Sequence, residues 1–165
     1  MNTALRILAA SLLLLLASCG FQLRGAYVMP FNALHMDLPE TGELHALIRR
    51  QIEAASAAKV VSDVKQSDAR LQVLSNLQTK NVLSTNAAGR VREYELVQQF
   101  RFKLIDKQDQ ELIAPVQITV RRDITFSDDQ VLAKATEESL LWRDMQQDLV
   151  QQLLRRLSAV KAKPG

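Results

Sequence analysis

The side chains able to do chemistry in this chain are few in kind. There is one cysteine, Cys19, and two histidines, His35 and His45. Neither histidine stands at a metal-ligand spacing, and the chain has no G-x-S-x-G, no H-E-x-x-H and no phosphate-cradling glycine loop. His35 and Asp37 read as a polar pair on one strand face, and His45, beside Glu43, as a solvated helix residue. The pairs Asp128–Asp129 and Glu137–Glu138 read as carboxylates of helix turns in solvent. Catalysis is therefore not expected, and no cofactor or metal is called for. The cations are more telling. Lys80, Arg90 and Arg92 flank the loop Asn81–Gly89, Arg101, Lys103, Arg121 and Arg122 lie on or beside strands, and Lys134 stands near the start of the last helix. Guanidinium groups grip phosphate oxygens in pairs and ammonium groups bind them as point charges, so the chemistry on offer is anion binding. Aromatic residues make up only 5% of the chain and fall mostly on apolar strand faces, which argues against nucleic acid stacking on them.

Cys19 has a particular setting. Arg6 precedes an apolar run from Ile7 to Ala17, the layout of an export signal. Eleven helical residues reach about 16 Å, roughly half the hydrocarbon core, so the run is too short to span. Leu16, Ala17 and Ser18 lead directly into Cys19, an aliphatic residue and two small ones before the sulfur. That pattern resembles the lipobox read by lipoprotein signal peptidase. The resemblance implies cleavage before Cys19 and lipidation of its sulfur and new amino group. Two or more acyl chains hold a protein stably at a bilayer where one does so only marginally. Gly20 follows, rather than the aspartate that resembles an inner-membrane retention signal, which favours the outer membrane. A single cysteine also rules out a disulfide within the chain. The expected organisation is a lipoprotein signal peptide over 1–18, a lipidated tether over 19–31 and one domain over 32–165.

The elements that must position the cations follow from periodicity. Leu34, Met36 and Leu38 alternate with His35 and Asp37, a short strand that Pro39 ends. Leu44, Leu47, Ile48, Ile52 and Ala55 form the stripe of a helix over 42–57. The stretch 59–65 reads as a connector with a short extended piece. Three longer strands follow, over 69–79, 93–105 and 116–126. Leu71, Val73 and Leu77 should share one face of the first, and Tyr94, Leu96, Phe100, Phe102 and Leu104 one face of the second. Asn86–Arg90 and Asp106–Gln110 read as turns. Ser127 and Gln130 form a capping box ahead of a final helix whose stripe runs from Trp142 through Met145, Leu149 and Leu153 to Leu157. The order β-α-β-β-β-α, with every element apolar on one side, predicts an α+β two-layer sandwich of two helices on a four-stranded mixed sheet. Strict alternation sends Arg122 to the covered face, so it must snorkel from a margin or a bulge must shift the register.

With these elements in place, "CGFQLRG" at Cys19–Gly25, "REYEL" at Arg92–Leu96 and "VLAKATEESLL" at Val131–Leu141 carry a resemblance to the LPS-assembly lipoprotein family, LptE. The first motif is the sharp one. The resemblance implies the same fold and a lipid-anchored protein on the periplasmic side of the outer membrane. It also implies the partners: an LptD-type β-barrel, which the protein plugs and helps assemble, and lipopolysaccharide, delivered to the outer leaflet. Lys134 matches a basic position that the family associates with lipopolysaccharide, and Arg122 falls at another. Where the family has an arginine before the loop glycine this chain has Ala87, so Arg90, with Arg92, is the candidate in its place. A lipoprotein adaptor of another outer-membrane machine, such as a barrel-assembly accessory or a secretin pilot, is the alternative.

If Cys19 is the lipidated first residue, intact-mass spectrometry of membrane-extracted protein will show the first 18 residues gone and the acyl chains present. An unmodified thiol would sink the idea. Cys19→Ala behind a cleavable secretory signal should give a folded protein in the soluble periplasmic fraction.

Overall fold

The computed structural model describes residues 27–160. Cys19, the signal and most of the tether lie outside that range. The described chain runs β1 (Ala33–Met36), α1 (Glu43–Ala55), β2 (Lys59–Val60), β3 (Ala69–Thr85), β4 (Val91–Asp106), β5 (Glu111–Thr125) and α2 (Val131–Ser158). The sheet has five strands in the order β2-β1-β3-β4-β5, not four. The fifth is the short extended piece at Lys59–Val60, which pairs in parallel with Ala33 and Leu34. Two residues are too few to show an alternation, so pairing alone reveals it as a strand. β1 also runs parallel to β3, while β3, β4 and β5 form an antiparallel meander.

Both helices pack on one side of this sheet, and a single apolar cluster joins the layers. Leu44, Ile48 and Ile52 of α1 and Met145, Leu149 and Leu153 of α2 are buried in one cluster with Leu34, Met36, Leu71, Phe100, Phe102 and Leu104 of the sheet. Hydrophobic burial of this kind is what ties the elements together. On the opposite face Asp37 accepts from Arg70 Nε at 2.9 Å and lies 3.4 Å from His35 Nε2, linking β1 to β3. Asp68 Oδ2 accepts from the amides of Asn32 and Ala33 and so fixes where β1 begins.

Both predicted turns form. Asn86 Oδ1 accepts from the amides of Ala88 and Arg90, with Gly89 at φ 76° closing the β3–β4 loop. A positive φ is the conformation glycine adopts without a Cβ clash. Asp106 does the same for Gln108 and Gln110 between β4 and β5. Pro115 lies inside β5, where the register slips from Phe102↔Val116 to Leu104↔Ile113. An edge strand tolerates a proline at such an irregularity. Helix α1 ends at Ala55, with the last residue of its stripe rather than at 57, because Ser56 takes an extended backbone conformation and its Oγ accepts from the amide of Ala58. The capping box does not form. The chain tightens into a single 3₁₀ turn at Asp128–Gln130, Gln130 N–H donates to the carbonyl of Ser127, and α2 starts only at Val131.

One irregularity reorganises the sheet. The β3–β4 register passes from Val73↔Phe102 to Ser75↔Arg101, leaving Leu74 as an extra residue. Beyond such a bulge every side chain of the strand changes face. Leu77 therefore emerges on the open face, 54% exposed, instead of continuing the Leu71–Val73 row. Asn76, Gln78 and Lys80 take the helix side instead, opposite Phe100, Gln98 and Leu96. Gln98 is itself fully buried, with Nε2 3.5 Å from Asn76 Oδ1 and no hydrogen-bond partner for Oε1.

Core truncation tests this packing. Phe102→Ala or Leu149→Ala should lower stability by about 2–5 kcal/mol, the usual cost of a large-to-small change in a close-packed interior. Denaturant midpoints equal to wild type would place those side chains on the wrong face.

Candidate functional site

The end of the sandwich farthest from the start of β1 is built from three pieces: the β3–β4 loop, the last residues of β5, and the first turns of α2. Phe126 N–H donates to the carbonyl of Arg92 at 2.7 Å, which holds the β5–α2 connection against β4. The Phe126 ring meets Tyr94 edge-on, with centroids 5.7 Å apart. This aromatic pair supports two hollows that share Phe126 as a wall. One, of about 290 Å³, is lined by Asn86, Arg90, Arg92, Phe126, Asp128 and Asp129. The other, of about 170 Å³, has Tyr94, Ile124 and Phe126 as an apolar floor and Lys80, Lys134 and Glu138 around it.

Of the residues singled out from the sequence, the structure brings Arg90, Arg92 and Lys134 to this end. Lys134 is firmly seated. Its Nζ donates to Thr125 Oγ1 at 2.9 Å and to Glu137 Oε2 at 2.8 Å, and its side chain is 17% exposed. Arg90 reaches into solvent, 72% exposed, with Nη1 3.7 Å from Asp128 Oδ2. Arg122 is set apart. Its Nη2 donates to Asp148 Oδ2 at 3.2 Å, far along α2 from Lys134, and its Nη1 donates to the carbonyl of Arg121. The β4–β5 register is unbroken from Glu93↔Thr125 to Phe102↔Val116, so no bulge rescues Arg122. It snorkels along the covered face to a carboxylate at the helix margin.

Lys80 belongs to this end as well and was not among the candidates. Its Nζ lies 2.7 Å from Glu138 Oε2 and 4.2 Å from the centroid of Tyr94, a cation–π distance. Strict alternation from Leu71 would have put Lys80 on the open face. The one hint in the sequence is the adjacent apolar pair Val73–Leu74, where alternation lapses.

The histidines lie elsewhere. His35 has Nδ1 3.2 Å from the carbonyl of Val61 and Nε2 beside Asp37, the polar pair expected of it. His45 is not solvated but buried against the core side of α1. A helix stripe of Leu44 and Ile48 draws in the neighbouring residue when a second layer lies close. Among the described residues no group of three or more potential metal ligands occurs, and no helix is long and apolar enough to cross a membrane.

The architecture is that of a two-layer α+β domain with Lys80, Arg90, Arg92 and Lys134 at one end, around the aromatic pair Tyr94 and Phe126. A model of the LptE family, described as lipopolysaccharide-assembly, matches residues 31–157. The chain is 32% identical over 153 residues to the LPS-assembly lipoprotein LptE of Pectobacterium atrosepticum, covering 89% of this chain and 80% of that protein. It is 29% identical to the LptE of Yersinia enterocolitica, over 96% of this chain and 77% of that protein. Among solved structures, it resembles an uncharacterized lipoprotein B from Nitrosomonas europaea with TM-score 0.74 and 39% identity, covering 85% of this chain and 91% of the other. The rare lipoprotein B from Shewanella oneidensis follows the same fold with TM-score 0.66 and 25% identity, over 78% and 95% of the two chains. The chain belongs to the LptE family of LPS-assembly lipoproteins.

His45 supplies a pH prediction. Burial above all, then the Arg49 guanidinium, holds its imidazole below the ordinary value of 6.5, with Glu40 pulling the other way and His35 adding to the lowering. Above 6.5 the ring is neutral both folded and unfolded. As pH falls through that value the unfolded chain takes up the proton first, so stability declines until the folded ring protonates too. Urea midpoints at pH 7.5 and 5.0 should show wild type losing more stability than His45→Leu. Equal losses would remove His45 as a cause.

Proposed function

We propose that this protein is an outer-membrane lipoprotein, anchored through Cys19 on the periplasmic side. In this reading it plugs and helps assemble an LptD-type β-barrel and binds lipopolysaccharide for delivery to the outer leaflet. Family membership supports the role, and the observation that carries the ligand is the convergence of Arg90, Arg92 and Lys134 on one end of the sandwich. Lipid A is phosphorylated, and phosphate is what such groups hold best. The mechanism is binding and positioning, and no bond is made or broken. Thr125 and Glu137 keep the Lys134 ammonium in place before the ligand arrives, while the exposed Arg90 can swing to a second anionic group.

The plug role draws on the opposite face of the sheet. There β4 presents Glu95, Gln99, Arg101 and Lys103, and β5 presents Gln117, Thr119, Arg121 and Asp123. A wide barrel cannot fill its lumen with its own side chains, and that lumen is polar, so a rigid body with one wet face is a suitable filler.

Lys134→Asp combined with Arg90→Glu should weaken binding of labelled lipopolysaccharide by roughly tenfold or more, about 1.4 kcal/mol. The remaining binding should depend less on salt, because fewer screened charges take part. Co-purification with the barrel in mild detergent should be unchanged. Arg90→Glu alone is the arm free of folding effects, since surface changes usually move stability by less than about 0.5 kcal/mol. Equal binding by wild type and the double variant at low and physiological salt would return these cations to the status of surface charge. Co-purification with a different outer-membrane machine would favour the adaptor alternative.

A further inference from the structure

The cations of this end are not bare. Lys134 is paired with Glu137 at 2.8 Å, Lys80 with Glu138 at 2.7 Å and Arg90 with Asp128 at 3.7 Å. All three carboxylates come from one stretch of chain, the start of α2 and the turn before it. That stretch is the lightly held part of the helix. The first fully covered residue of α2 is Met145, while Val131, Leu132 and Leu140 stand out in solvent, Leu132 at 86%. Both ammonium groups, by contrast, have second holds that no carboxylate supplies. Lys80 lies over the Tyr94 ring, and Lys134 donates to Thr125 on β5. Glu138 has another partner too, the indole N–H of Trp142, 3.4 Å from its Oε1.

We infer that Lys80 is a further ligand-binding residue, forming with Lys134 a two-ammonium site over the hollow floored by Tyr94, Ile124 and Phe126. Glu137 and Glu138 occupy that site as displaceable stand-ins for phosphate. This deepens the lipopolysaccharide reading and rests on it. The ligand class is a phosphomonoester joined to an apolar body. The phosphate carries about −1.5 to −2 charges and three acceptor oxygens, enough to engage both ammonium groups at once. A singly charged anion would exchange one carboxylate for its equal and gain nothing. The internal acids thus act as a threshold that excludes weak anions such as carboxylates. The lysines stay in place when the acids leave, because the ring and the threonine hydroxyl still hold them.

The experiment titrates the full-length protein with fluorescently labelled lipopolysaccharide and with the same material after phosphatase treatment. Lys80→Gln should weaken binding of the phosphorylated form by about tenfold, a loss of one charge-assisted contact, and leave the dephosphorylated form unaffected. Lys80→Arg should retain most of the affinity. Glu137→Gln with Glu138→Gln should tighten binding several-fold and admit simple fatty acids that wild type rejects. A gain in affinity by a double variant whose circular dichroism matches wild type is not a folding effect, so this arm stands even if a Lys80 variant folds poorly. If Lys134→Asp abolishes binding while Lys80→Gln and the double glutamine variant match wild type, the inference falls and the broader reading survives. If wild type itself binds neither form, both fall together.

Discussion

The extra residue at Leu74 decides what lies beneath the second half of the sheet. A β-strand offers its side chains to alternate faces, and a bulge is the one cheap way to reverse that assignment partway along. Before Leu74 the residues of β3 that face the helices are Ala69, Leu71 and Val73, and they join the apolar cluster. After it they are Asn76, Gln78 and Lys80. The cluster of cations at this end includes Lys80 because the bulge delivers it under α2 rather than to the open face. Without the bulge Leu77 would stand on the helix side opposite Gln98, and Thr79 rather than Lys80 would take the place opposite Leu96 beside the hollow.

The two halves of the sandwich are consequently held by different forces. The half that carries α1 is sealed by aliphatic and aromatic side chains with no exposure, and its stability comes from area removed from water. In the other half the ion pairs of Lys80 with Glu138 and Arg122 with Asp148 join sheet to helix beside the apolar cluster, and Gln98 meets Asn76 within the sheet. Such contacts contribute little net stability when partly exposed to solvent, and the buried, unpaired Oε1 of Gln98 subtracts from it. Binding regions are commonly drawn from the less stable end of a fold. The gradient along α2, from solvent-exposed Leu132 to fully covered Leu157, fits that pattern.

Much of this was legible in the sequence because period carries so much information. The α1 stripe, the Phe100–Phe102–Leu104 row, both turns and the α2 core positions all follow from apolar spacing, and the two-layer arrangement follows from their one-sidedness. The departures share a cause: each depends on pairing or packing that apolar spacing alone does not encode. Pairing partners made Lys59–Val60 a strand. A neighbouring layer buried His45 despite its charged surroundings. The first turn after Ser127 wound tighter than a capping box allows, so the serine carbonyl rather than its hydroxyl took the bond. Arg122 was recognised as anomalous, and the unbroken register chose between its two explanations. Counting by twos from Leu71 puts Lys80 on the open face, and the apolar pair Val73–Leu74 alone hints at the bulge that reverses it.

The order of strands bears on the moment of synthesis. β1 sits between β2 and β3, and both of those neighbours come later in the chain. A polypeptide appears N-terminus first, so β1 must wait, with Leu34 and Met36 uncovered, until residues as far as Leu71 have emerged to pair with it. The β3–β4–β5 meander, in contrast, can zip from its tight turns as soon as each hairpin is complete, at little cost in loop closure. The first strand to be made is therefore among the last to be placed.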